Sequence, residues 1–109
     1  FFSGDLDVEA EDLKPKKKSL EELEPVLASL IDKVDQLMEW SEDPIEQLLR
    51  GHCEETGWKP RDLFMPVRIA VTGRKATPGM WETLTVLGKE RTRRRLREAL
   101  KKVKAANRA

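Results

Sequence analysis

The sequence predicts an all-α domain, a compact bundle of about five helices. Apolar residues recur at three- and four-residue spacing in successive stretches, and capping residues and glycines bracket those stretches. The composition, 38% charged and without tyrosine, suits helices with wet outer faces better than a sheet. At 109 residues the chain makes one small domain with a modest core.

Residues 1–18 read as a linker from a missing upstream domain, with the folded domain over 19–109. The stretch GDLDVEAEDLKPKKKS holds an acidic block, then Pro15 and three lysines, with no sustained period. The chain opens on Phe1-Phe2-Ser3-Gly4 rather than methionine, so a piece of a longer protein is expected.

Ser19-x-x-Glu22 then reads as a capping box. Leu20, Leu23, Leu27, Leu30, Ile31, Val34, Leu37 and Met38 follow on one helical face, and Pro25 predicts a restart of the helix, because proline is comfortable only in a first turn. In the second helix Asp43 is placed to cap, Pro44 to take the first position and Gly57 to end it, with Ile45, Leu48, Leu49 and His52 or Cys53 as the stripe. Trp40 and Trp58 stand just before helix starts as packing anchors.

KPRDLFMPVRIAVTG has two periods at once. Val67, Ile69 and Val71 alternate as in a strand, while Leu63, Phe64, Val67, Ala70 and Val71 share a helical face behind Pro60; a helix with a break near Pro66 is the reading adopted. Two more helices complete the bundle: Pro78 to Leu87, capped by Thr77, and Lys89 to about Ala105. Gly73 and Gly88 close the third and fourth helices.

The net charge of +1 conceals a strong polarity. Residues 1–58 hold 16 Asp/Glu against 6 Lys/Arg, a net of −10, whereas residues 59–109 hold 4 against 15, a net of +11. If the halves pack together, an acidic face opposes a basic one, and the basic one is the footprint of a phosphate-backbone partner. Cys53 and His52 are the only residues of their kinds, which excludes a disulfide framework and a Cys/His zinc site. Cys53 reads as a small buried side chain and His52 as a satisfied interfacial histidine rather than a ligand. The cysteine usage fits a reducing cytoplasm, which is the expected setting. No apolar run approaches the length of a membrane span, and no glycine cluster follows a strand to make a phosphate-binding loop.

LFMPVRIAVTGRKATPGMWETLTVLGKERTRRRL carries a resemblance. It is similar to the C-terminal anticodon-binding domain of bacterial-type glutamyl-tRNA synthetases, whose members read close to L-x-x-P-x-R-x-A-x-T-G, a short variable loop, then x-P-G-x-x-E-x-x-x-x-L-G-K-E-R-x-x-x-R-L. Pro66, Arg68, Ala70, Thr72, Gly73, Pro78, Gly79, Glu82, Leu87 through Arg91, Arg95 and Leu96 supply the fixed positions. The match is specific over 59–100 and looser over 19–58.

The resemblance implies an anticodon-binding helical domain of a class I synthetase. The parent enzyme would join glutamate to its tRNA with ATP and Mg²⁺ in a catalytic domain of the same polypeptide. This chain holds neither the His-x-Gly-His-like nor the Lys-x-Ser-Lys-like signature, so no aminoacylation and no cofactor are expected of it. Its implied partner is the tRNA anticodon stem-loop, and a monomer is expected. By the family match, Arg68, Thr77, Pro78, Met80 and Trp81 line the pocket for the anticodon's first two bases. Family members often carry Leu or Phe where this chain has Met80 and Trp81, which keeps the apolar bulk. Arg91, Arg93, Arg94, Arg95 and Arg97 are the candidates for the RNA backbone.

Other readings stand beside these. Trp81 precedes Leu84 by three residues and fits a core position equally. Arg68 has possible ion-pair partners in Glu82 and Glu90, and some of the five arginines merely solvate their helix. A freestanding interaction module, with the stripe of residues 19–38 as half a coiled coil, is the alternative function. A helix-turn-helix DNA reader fits less well, because basic residues crowd every side of the last helix.

Overall fold

The computed structural model describes residues 13, 18–73 and 79–108. They form five helices and, among the described residues, no strand: α1 Leu20–Gln36, α2 Glu42–Thr56, α3 Pro60–Thr72, α4 Met80–Leu87 and α5 Lys89–Arg108.

α1 begins as the capping pattern predicts, with the Ser19 hydroxyl accepting the Glu22 amide at 3.2 Å. It then runs unbroken through Pro25, which corrects the expected restart. Pro25 lies on the exposed face together with Glu21, whose carbonyl loses its amide partner there and remains open to solvent. The buried face, Leu23, Val26, Leu27, Leu30, Ile31 and Val34, holds the helix down. That stripe is consumed within the bundle and leaves no free seam for a coiled coil.

α2 starts before the expected Asp43 cap, from Ser41, so Pro44 falls third in the first turn, where a missing amide still costs nothing. It ends at Gly57, whose amide still bonds the Cys53 carbonyl at 2.8 Å and whose φ of +78° then turns the chain out of the helix. α3 is likewise continuous, and the expected break at Pro66 is absent. The Pro66 ring is buried among core residues, and that burial offsets the hydrogen bond its nitrogen cannot donate. α4 starts at Met80 with Gly79 as its left-handed N-cap; the expected cap Thr77 and the expected first residue Pro78 lie outside the described residues. Gly88 alone separates α4 from α5: its amide bonds the Leu84 carbonyl, and its carbonyl accepts from Thr92, both at 3.1 Å.

α5 packs along α1 in the antiparallel sense. At one end Asn107 donates to the Leu20 carbonyl (3.1 Å) and the Glu24 carboxylate (3.0 Å), which carries the helix past the expected end at Ala105. At the other end Lys89 reaches the last turn of α1. α3 also packs on α5, and α4 lies against α2. Leu23, Leu27, Leu30, Leu63, Val67, Val71, Leu96 and Val103 are the buried centre. The expected linker lies almost wholly outside the described residues, but Leu13 is helical and fully buried in this same core. Trp40 anchors as expected, donating from its indole to the Leu84 carbonyl at 2.9 Å, and Trp58 is buried beneath the Lys18 ammonium.

His52 joins α2 to α1. It is fully buried, and Nε2 donates to the Val26 carbonyl at 2.9 Å, while Nδ1 has no partner among the described residues. Burial holds its pKa below the ordinary 6.5, with the Val26 bond opposing and Lys33 adding to the depression. The unfolded chain therefore takes up a proton near pH 6.5 that the folded chain refuses. Stability is full above that pH and falls as pH drops toward the lower folded value. As the sole histidine, His52 controls the window between about pH 5 and 6.5, below which carboxylates take over. Urea midpoints should decline across it, and His52→Gln, which keeps a donor for Val26, should flatten the decline. An equal decline in the variant would assign it elsewhere.

Candidate nucleic-acid interface

The site is built where α3 meets the start of α4. Phe64 and Arg68 stand one turn apart on α3. Gly79 takes φ +64°, a left-handed conformation that favours glycine, and so lets the chain enter α4 at this angle. Gly79 has no side chain with which to cap α4. Its first amides lack intrahelical partners, as at any helix start.

Trp81 is half-buried and meets Phe64 edge to face, with ring centroids 5.2 Å apart and planes at 86°. Phe64 thus braces one side of the indole while part of the ring stays accessible, so the core and surface readings of Trp81 each describe part of it. Arg68, also half-buried, has Nη2 3.8 Å from the Met80 sulfur. Met80 itself is only 7% exposed. Its side chain fills the core beneath Arg68, which removes it from the expected stacking wall. Thr77 and Pro78, the other expected wall residues, lie outside the described residues. Glu90, weighed above as a partner for Arg68, is engaged by Arg93 instead, at 2.8 Å.

The five arginines of α5 separate by direction. Arg95 is buried, and its guanidinium donates to the Val71 carbonyl in the last turn of α3. Burial lowers its pKa below the ordinary arginine value, and the charges of Arg91 and Arg94 push the same way. Arg95, expected at the RNA backbone, thus directs its guanidinium inward to an interior carbonyl. Arg93 and Arg97 both reach across to Asp35 of α1, at 3.1 and 3.2 Å. Arg91 and Arg94 are exposed and make no ion pair among the described residues.

Sequence reading missed Lys89. Its ammonium donates to the Asp35 carbonyl at 3.0 Å and the Leu37 carbonyl at 2.8 Å, closing the C-terminal end of α1. Its place beside Gly88, at the start of a helix, gave no sign of a partner more than fifty residues away.

Among the described residues no three His, Cys, Asp or Glu side chains gather to hold a metal ion. No described helix is long and apolar enough to cross a membrane. A braced indole beside an arginine, at a helix start and next to a cationic helix, suits unstacked bases on a phosphate backbone.

The chain belongs to the anticodon binding domain family, whose profile matches residues 1–100. It is 38% identical over 107 residues to a glutamate–tRNA ligase of Roseiflexus castenholzii, covering 98% of this chain and 21% of that protein. It is 44% identical over 84 residues to one of Thermus thermophilus, covering 77% and 18%. A third, from Symbiobacterium thermophilum, is 48% identical over 59 residues, covering 54% and 12%. The chain thus spans about a fifth of the length of the first two relatives.

Proposed function

We propose that this chain reads the anticodon of glutamate tRNA as one domain of a glutamate–tRNA ligase. The observation that carries the reading is the juxtaposition of Arg68, a fixed position of the family pattern, with the apolar Trp81, on separate helices joined through Met80 and Phe64. In this reading the accessible part of Trp81 stacks a base and Arg68 bonds a base edge. Thr77 and Pro78 contribute to the same wall. ATP and Mg²⁺ belong to the catalytic domain of the parent ligase and have no counterpart here, so the chain alone forms no glutamyl-adenylate. It works as a monomer in the cytoplasm.

Titration with tRNA carrying the glutamate anticodon and with an anticodon-changed transcript tests this. Trp81→Ala should weaken binding by about 1–3 kcal/mol through the lost stack. Arg68→Ala should erase the preference between the two RNAs, since base contacts carry sequence information and phosphate contacts do not. Thermal melts of each variant separate loss of binding from loss of fold, because Trp81 also packs on Phe64. Equal weakening toward both RNAs would return these residues to the scaffold.

A further inference from the structure

The five arginines of α5 have the same letters but different surroundings. Arg93 and Arg97 share Asp35, and Arg93 also holds Glu90 at 2.8 Å. The other acid of the helix, Glu98, lies 3.7 Å from Lys101. Both acidic side chains of α5 are thus engaged by other cations, and Arg91 and Arg94 have no ion-pair partner among the described residues. The two stand three residues apart, so they project from the same outer face of the helix, less than one turn from each other.

Their position along the fold matters as much as their charge. Arg95, next to Arg94, is fastened to the Val71 carbonyl, and Val71 is three residues beyond Arg68 on α3. The same hydrogen bond therefore fixes the free pair beside the end of α3 from which the chain leads into α4 and Trp81. Arg93 and Arg97, by contrast, turn toward α1.

We propose that Arg91 and Arg94 form the phosphate clamp of this domain, gripping the backbone next to the bases read at Arg68 and Trp81, and that Arg93 and Arg97 serve the α1–α5 interface without contacting RNA. The clamp rests on the anticodon reading above for its ligand. Its charge selects phosphates and carries no base preference. An exposed arginine pair needs no rearrangement to bind, whereas Arg93 and Arg97 would first have to leave Asp35.

The test measures the salt dependence of binding between the 109-residue chain and an anticodon stem-loop RNA, for wild type, Arg91→Gln with Arg94→Gln, and Arg93→Gln with Arg97→Gln. Each lost single-strand phosphate contact should reduce the slope of log K against log salt by about 0.7. The first double variant should therefore flatten the slope by about 1.4, weaken cognate and anticodon-changed RNAs alike, and melt as wild type does. The second should keep the wild-type slope and melt lower. An unchanged slope in the first variant, or equal flattening in the second, would overturn the clamp. Equal wild-type affinity for both RNAs would instead sink the anticodon reading, and the slope comparison would still decide the clamp.

Discussion

Arg95→Ala should destabilise the domain by about 3 kcal/mol while leaving the salt slope of RNA binding as it is. The side chain is 9% exposed, and its guanidinium meets the Val71 carbonyl at the C-terminal end of α3, where the helix has no amide of its own to offer. Truncation leaves that carbonyl without this donor and opens a void where the stem ran between α3 and α5. Arg95→Met separates the two effects, since it keeps the stem and loses only the donor; a cost of about 1.5 kcal/mol is expected. Urea unfolding of the three proteins gives the comparison. A melt unchanged in Arg95→Ala, together with a flattened salt slope, would return Arg95 to the RNA surface.

Lys89→Met should cost about 2–3 kcal/mol. Its two charged hydrogen bonds, to the carbonyls of Asp35 and Leu37, sit at the negative end of the α1 dipole, so dipole attraction adds to bonding. Methionine preserves the stem against the core, and the loss therefore reports the ammonium. Amide exchange should show where the loss falls: the last turn of α1 and the Leu37–Trp40 connection open first, while α3 keeps its protection. Uniform loss of protection would mean that Lys89 supports the bundle as a whole rather than this joint. With Arg95, it gives the family pattern a mechanical meaning, since two of its basic letters on α5 close the C-terminal ends of two other helices.

Residues acting over one turn were legible before the fold was known. Ser19 announced the start of α1, Gly57 and Gly73 announced the ends of α2 and α3, and the stripe from Leu23 to Val34 announced its buried face. The two prolines misled for the same reason that the caps succeeded. Local rules make Pro25 and Pro66 breaks, but Pro25 faces solvent and Pro66 is buried, so neither site bears the full cost that an isolated helix would. The candidate site was legible as a set of letters. Arg68 reaches Met80 and Phe64 meets Trp81 across the same α3–α4 joint, whereas Met80 is core because its direction depends on where α3 lies.

The sequence by itself determined the helical class, all five helix starts to within two residues, the opposition of an acidic and a basic half, and the family pattern. All of these follow from interactions between residues at most a few positions apart, or from composition. Only the tertiary structure decided which arginine faces Asp35, which faces Val71 and which faces solvent. Successive residues of a helix turn by about 100°, so neighbours such as Arg93, Arg94 and Arg95 meet three environments, and those environments are made by α1 and α3, which lie some 20 to 60 residues away in the chain.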